Sequence, residues 1–98
     1  MAYHHLAMAA ADMAAIHNFY ETILGFELVK VEIGPVPDGG WAKHFFYRMA
    51  GDDSCFIAFW ELHEVPGCEN MDTALSRAAG VPDQINHIAF NASDLENL

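Results

Sequence analysis

Two short stretches of this chain share one pattern, and that repetition constrains the fold more than any other feature. Tyr3-His4-His5-Leu6-Ala7-Met8 and Ile85-Asn86-His87-Ile88-Ala89-Phe90 both read x-x-His-apolar-Ala-apolar. Each is followed within a few residues by Asp and an apolar residue, Asp12-Met13 after the first and Asp94-Leu95 after the second. A recurrence of this kind marks two copies of one supersecondary unit. A chain of 98 residues has room for one complete unit and the opening of another. The expected organisation is therefore a first unit with its connecting loop over 1–83 and the start of a truncated second unit over 84–98.

Periodicity fills in the first unit. Tyr3 to Ala10 reads as a strand, with Leu6 and Met8 on one face and His5 and Ala7 on the other. Asp12 is a good N-cap. Met13, Ile16, Phe19, Tyr20, Ile23 and Leu24 then recur as one face of an amphipathic helix, which Gly25 stops by taking a left-handed conformation. Phe26 to Ile33 alternates apolar residues with Glu27, Lys30 and Glu32, as a strand does. Gly34 to Gly40 is a turn-rich loop. Lys43 to Met49 is a third strand, 51–54 a tight turn, and Cys55 to Leu62 a fourth strand. A loop around Pro66-Gly67 leads to a short helix over Met71 to Ala79. Gln84 to Asn91 reads as a last strand, and Ser93 or Asp94 opens another helix. The order is β-α-β-β-β followed by a restart.

Charge and cysteine content exclude several roles. The net charge is −10, and the only basic residues are Lys30, Lys43, Arg48 and Arg77. Phosphate recognition needs clustered Lys and Arg, so no nucleic-acid partner is expected, and anionic membrane surfaces are disfavoured for the same reason. No apolar run nears the roughly 20 residues that span a bilayer. Cys55 and Cys68 lack the spacing of a redox or zinc motif. Cys55 reads as a core residue and Cys68 as a loop residue. With no basic, apolar leader at the N-terminus, a cytoplasmic location is expected.

The residues able to carry chemistry are His5, Glu61 and His87. His5 alternates with Leu6 and Met8 and is expected to face away from the helix, into the concave side of the sheet. In the fourth strand Phe56, Ala58, Trp60 and Leu62 share one face, and Cys55, Ile57, Phe59 and Glu61 the other. Ile57 and Phe59 are expected to line the uncovered concave face. Glu61 is the sole carboxylate of that run, and His87 repeats the setting of His5. Two imidazoles and a carboxylate on one curved sheet suit a divalent transition metal, and a metal would satisfy a carboxylate that is costly to bury unpaired. The plainer reading also stands. A histidine on a strand is more often an ordinary half-buried residue, and Glu61, at a strand end, would then be solvated. His4, His17, His44 and His63 are also present, and most of them must be non-ligands.

The order of these motifs resembles a known family. His5-Leu6-Ala7, Asp12, Phe19-Tyr20 and Leu24-Gly25-Phe26 look like the opening of a module of the vicinal oxygen chelate superfamily, the glyoxalase, bleomycin-resistance and extradiol dioxygenase group. Phe56 to Glu61 looks like the module's fourth strand, and Ile85 to Phe90 like the first strand of a second module. The resemblance implies an α+β fold: a βαβββ module with a curved mixed sheet. It implies a divalent metal (Ni, Zn, Mn, Fe or Co) held by His5, Glu61 and His87, three of the four glyoxalase-type ligands, with Glu61 also catalytic. A small bidentate oxygen substrate would chelate that metal in a lyase, isomerase or oxygenase reaction. The alternative is a non-catalytic, bleomycin-resistance-type binder of small molecules, with Trp41, Phe45, Phe46, Tyr47, Phe59 and Trp60 lining its groove. Because a lone module leaves an open edge and an uncovered face, a homodimer is expected, with the 84–91 strand packed on a sheet.

Overall fold

The structure, a computed structural model, describes residues 4–49 and 54–90. The turn expected at 51–54 lies outside the described residues except for Ser54, and the helix expected from Ser93 or Asp94 lies wholly outside them. Chain order is β1 (His5–Ala9), α1 (Met13–His17) running into a π-helical segment (Asn18–Ile23), β2 (Glu27–Pro35), β3 (Trp41–Arg48), β4 (Phe56–His63) and α2 (Leu75–Ala79). The four strands form one sheet in the order β1-β4-β3-β2. β1 runs parallel to β4, and the other two pairings are antiparallel. This is the expected βαβββ arrangement. No helix among the described residues is long and apolar enough to cross a membrane.

Local chemistry explains the helix and its ends. The Asp12 carboxylate accepts from the Ala15 N–H at 3.1 Å, which satisfies one orphan donor of the first turn. Beyond His17 the turns widen, and the Leu24 N–H reaches the Phe19 carbonyl five residues back at 2.9 Å. Widening by one residue per turn rotates the apolar face. Tyr20 is thereby turned onto the sheet, with its ring 4.9 Å from that of Phe59. Phe19 and Ile23, expected on the buried face, are left 44% and 53% exposed. Gly25 ends the helix at φ +76°.

The pairing register decides which face the helix covers. Leu6 and Met8 stand opposite Ile57 and Phe59, and these continue across to Tyr47 and Phe45. Partners across a ladder share a face. Met13, Ile57, Phe59 and Tyr47 form the core with Phe26 and Ala10, and Met8, Ile16, Tyr20 and Leu28 pack against it. Tyr47 and Ile57 are fully buried. The expectation that Ile57 and Phe59 line the uncovered concave face is therefore corrected: they are the floor under α1. The opposite face carries His5, Ala7, Phe56, Ala58, Trp60, His44 and Phe46. A bulge in β2 between Leu28 and Lys30 takes Val29 out of the ladder. It places Lys30 across from Phe46 and Glu32 across from His44.

The last strand is a second correction. Residues 84–90 contain no strand; the backbone runs through turns and irregular structure. Its donors are used locally. The Ile85 N–H reaches the Pro82 carbonyl at 3.1 Å, and the Asn86 N–H reaches the Ser76 hydroxyl at 2.8 Å. A strand needs a ladder, and these bonds commit the segment to a turn instead. The segment docks through Phe90, whose ring lies 5.5 Å from Phe26 and 6.4 Å from Tyr20.

Candidate functional site

The face of the sheet opposite α1 collects the aromatic and imidazole groups of three strands. Ala7 and Ala58 share this face with the larger rings of His5, His44, Phe46 and Trp60. The His44 ring lies flat on Trp60, with centroids 3.6 Å apart and planes 9° apart. Phe46 flanks His44 at 4.2 Å. His5 meets Phe46 at 5.4 Å and His44 at 6.2 Å, edge-on to both. His4 lies against Phe56 at 5.2 Å, and its Nδ1 is 2.9 Å from the Nδ1 of His5. The rim is charged. Lys30 sits 5.6 Å from the Phe46 ring centre and 3.4 Å from the Glu32 carboxylate.

His44 is the unusual member of this group. It is 7% exposed, and its Nε2 is buried without a hydrogen-bond partner. An unmet polar atom in such a place costs on the order of 1–3 kcal/mol. Burial pushes its pKa below the usual imidazole range. The neighbouring His5 adds to that shift, while the Glu32 carboxylate opposes it. A histidine held neutral among rings keeps a lone pair available. Sequence reasoning did not single out His44 among the remaining histidines. Its alternation with Phe46, together with the Trp60 partner supplied by the sheet register, is the signal that singles it out.

The structure places the three predicted ligands apart. His5 stands exposed at the start of β1, on the aromatic face. Glu61 lies on the other face, in line with Ile57 and Phe59. Its carboxylate accepts from the His63 Nε2–H at 2.8 Å, and His63 stacks on Trp41 at 4.1 Å with an 11° angle between planes. His87 is exposed in the terminal segment. Its Nδ1 lies 3.2 Å from the Gln84 carbonyl and 3.3 Å from that of Ile85. A carbonyl only accepts, so Nδ1 is the donor in these contacts. Among the described residues no three His, Cys, Asp or Glu side chains gather where they could hold a metal. His5, Glu61 and His87 of one chain in this arrangement do not fit a shared ion. The physical reason is the parity of the β1–β4 register, which turns His5 and Glu61 to opposite faces.

The six aromatic residues expected to line one groove are divided in the same way. Phe46 and Trp60 belong to the open face, whereas Trp41, Phe45, Tyr47 and Phe59 alternate onto the α1 side. A separate groove of about 1030 Å³ runs between β1, α1 and the terminal segment, walled by Leu6, Met8, Ile16, Tyr20, Ile85 and Phe90. Sequence reasoning also missed the bond between His17 and the buried Tyr47, where the hydroxyl and Nδ1 are 2.9 Å apart.

The model of one protein family, described as the Glyoxalase/Bleomycin resistance protein/Dioxygenase superfamily, matches residues 2–98. No curated protein and no solved structure matches the chain.

Proposed function

The chain belongs to the Glyoxalase/Bleomycin resistance protein/Dioxygenase superfamily, and from that premise we propose that it binds a small, planar, oxygen-rich molecule on the open face of its sheet. The observation that carries this reading is the flat His44–Trp60 stack, flanked by Phe46 and His5. Aromatic walls with a few convergent polar groups are the usual makeup of a ligand site. Stacking supplies affinity here, and the His5 imidazole and the Lys30–Glu32 rim supply orientation. A second copy of the chain, packed against this face or against the neighbouring β1 edge, would supply the missing wall.

A titration of the intrinsic tryptophan fluorescence with a catechol tests the proposal. Wild-type protein is expected to bind, and Trp60→Ala to bind at least about tenfold more weakly, since a lost aromatic contact in a desolvated site is worth roughly 1.4 kcal/mol or more. Equal affinity in the two proteins would overturn it.

The second reading is a metal-dependent lyase, isomerase or oxygenase using His5, Glu61 and His87, with Glu61 catalytic. The Nδ1–carbonyl contact of His87 supports it, because ligating histidines are commonly oriented by such a bond. A divalent ion there would polarise a bidentate oxygen substrate. Since one chain does not gather the three residues, this reading requires a second copy to supply Glu61 or His87.

A further inference from the structure

We infer that β2 is a docking edge for a second copy of this chain, which adds its own β2 antiparallel in a register centred on Val31. The two four-stranded sheets then join into one across a two-fold axis. This contact uses the edge of the sheet opposite β1, and it stands apart from the small-molecule reading.

Exposure and charge along β2 support it. Among the described residues this nine-residue strand pairs with β3 alone, and a strand open on one side is a template for another strand. Val31 and Ile33, opposite Phe45 and Lys43, form an apolar stripe that is 43% and 67% exposed. Lys30 and Glu32, opposite Phe46 and His44, stand exposed on the other face. Symmetry restricts how two such strands meet. Antiparallel strands related by a two-fold axis normal to the sheet keep like faces together, so one residue of β2 sits on the axis and faces its own copy. With Lys30 on the axis, ammonium faces ammonium. With Glu32 on it, carboxylate faces carboxylate. With Val31 on it, Lys30 faces Glu32 of the partner subunit, and Glu32 faces Lys30 of the partner subunit. Opposite charges across a ladder attract and like charges repel, so the Val31 register is the favoured one of the three. Moving the axis outward to either end of β2 shortens the ladder and loses both charge pairs.

Within one chain Lys30 already lies 3.4 Å from Glu32, so the dimer closes a network of four alternating charges. Networks of this kind contribute more than isolated surface pairs. The bulge beside Lys30 and the charges themselves are also the means by which edges are guarded against pairing. A guarding edge repels its own copy, whereas the charges of β2 alternate in the order that attracts it. Glu32 is the carboxylate across the ladder from His44, so the pairing also brings Lys30 of the partner subunit to the rim of the aromatic face.

The test is sedimentation equilibrium of the full chain carrying Ile88→Asp, which removes any contact made through the terminal segment. One strand pair is a small and weak interface, so the protein is held at roughly 100 μM in low salt. Ile88→Asp protein is expected to be a dimer under these conditions. Adding Lys30→Glu, or adding Glu32→Lys, turns both opposite-charge pairs into like-charge pairs and is expected to weaken that dimer by about tenfold or more. An equimolar mixture of the two doubly substituted proteins is expected to regain it as a heterodimer, because every facing pair is then of opposite sign. Ile88, Lys30 and Glu32 are all exposed, so thermal melting should show each variant folded, and recovery on mixing excludes misfolding as the cause of the loss. Three results would overturn the inference: an Ile88→Asp protein that is a clean monomer, single charge reversals that leave its dimer intact, or a mixture that stays monomeric. The readout is assembly alone, so this test and the catechol titration fail separately.

Discussion

Replacing Gly40 by Ala separates two costs that glycines at turns usually hide. Gly40 precedes β3 at φ +76°. An L-residue held in that region costs roughly 1–2 kcal/mol. A Cβ there would also press on the backbone of His63 and Glu64, including the His63 carbonyl oxygen. Those atoms cannot swing aside as a side chain would. His63 is paired with Trp41 at the end of the β3–β4 ladder, and Glu64 itself sits at φ +56°. Overpacking against fixed groups costs roughly 1–3 kcal/mol. The expected total for Gly40→Ala is about 2–5 kcal/mol, a large part of the roughly 5–15 kcal/mol that holds a domain folded. Gly25 is the internal control. It has the same φ of +76°, but a Cβ there meets nothing within 4 Å. Gly25→Ala should lose only the conformational part, about 1–2 kcal/mol. Urea unfolding at equilibrium, with both variants compared at an unchanged m-value, measures the difference directly. Equal losses in the two variants would refute the close approach of β3 to the His63–Glu64 backbone.

Two further outcomes follow from the core and from the exposed surface. Burial pushes the Tyr47 hydroxyl up to about 12, with the Glu21 charge adding to the shift, against an ordinary value of 10.0. A folded-state value raised in this way contributes stability that is complete below pH 10 and lost as the pH rises toward 12. Tyr47→Phe should lose about 0.5–1.5 kcal/mol at neutral pH with the His17 hydrogen bond. It should then show a flatter decline than wild type over that alkaline window in urea midpoints, and parallel curves would contradict the assignment. The half-exposed Leu6, Phe19, Ile85, Ile88 and Phe90 around the β1–α1 groove lead us to expect a homodimer at micromolar concentration. Sedimentation giving a clean monomer would rule it out, and a dimer that survives Ile88→Asp would place the contact elsewhere than on the terminal segment.

Much of this fold is legible one segment at a time, because local rules decide it. Asp12 caps the helix and Gly25 stops it, since the N-cap bond and the left-handed turn depend only on neighbouring atoms. The alternation of Leu6 and Met8 with His5, and of Phe56 to Glu61, correctly sorts each strand into two faces. What alternation leaves open is which face of one strand matches which face of the next. That depends on the pairing register, where a shift of one residue turns every side chain over. Here the register turns Ile57 and Phe59 under α1, sends Glu61 with them, and leaves His5 among Trp60, Phe46 and His44. The bulge at Val29 and the π-helical turn that exchanges Phe19 for Tyr20 are likewise settled by packing. The terminal segment teaches the same point. Ile85 to Phe90 repeats the β1 pattern, but it becomes a strand only where an edge offers a ladder. In this chain its donors went to Ser76 and Pro82, so a shared pattern did not become a shared structure. The sequence by itself determined the elements of the βαβββ module, their order and the family. Only the tertiary structure decided which histidines meet, because that meeting is made by long-range backbone pairing that no single segment encodes.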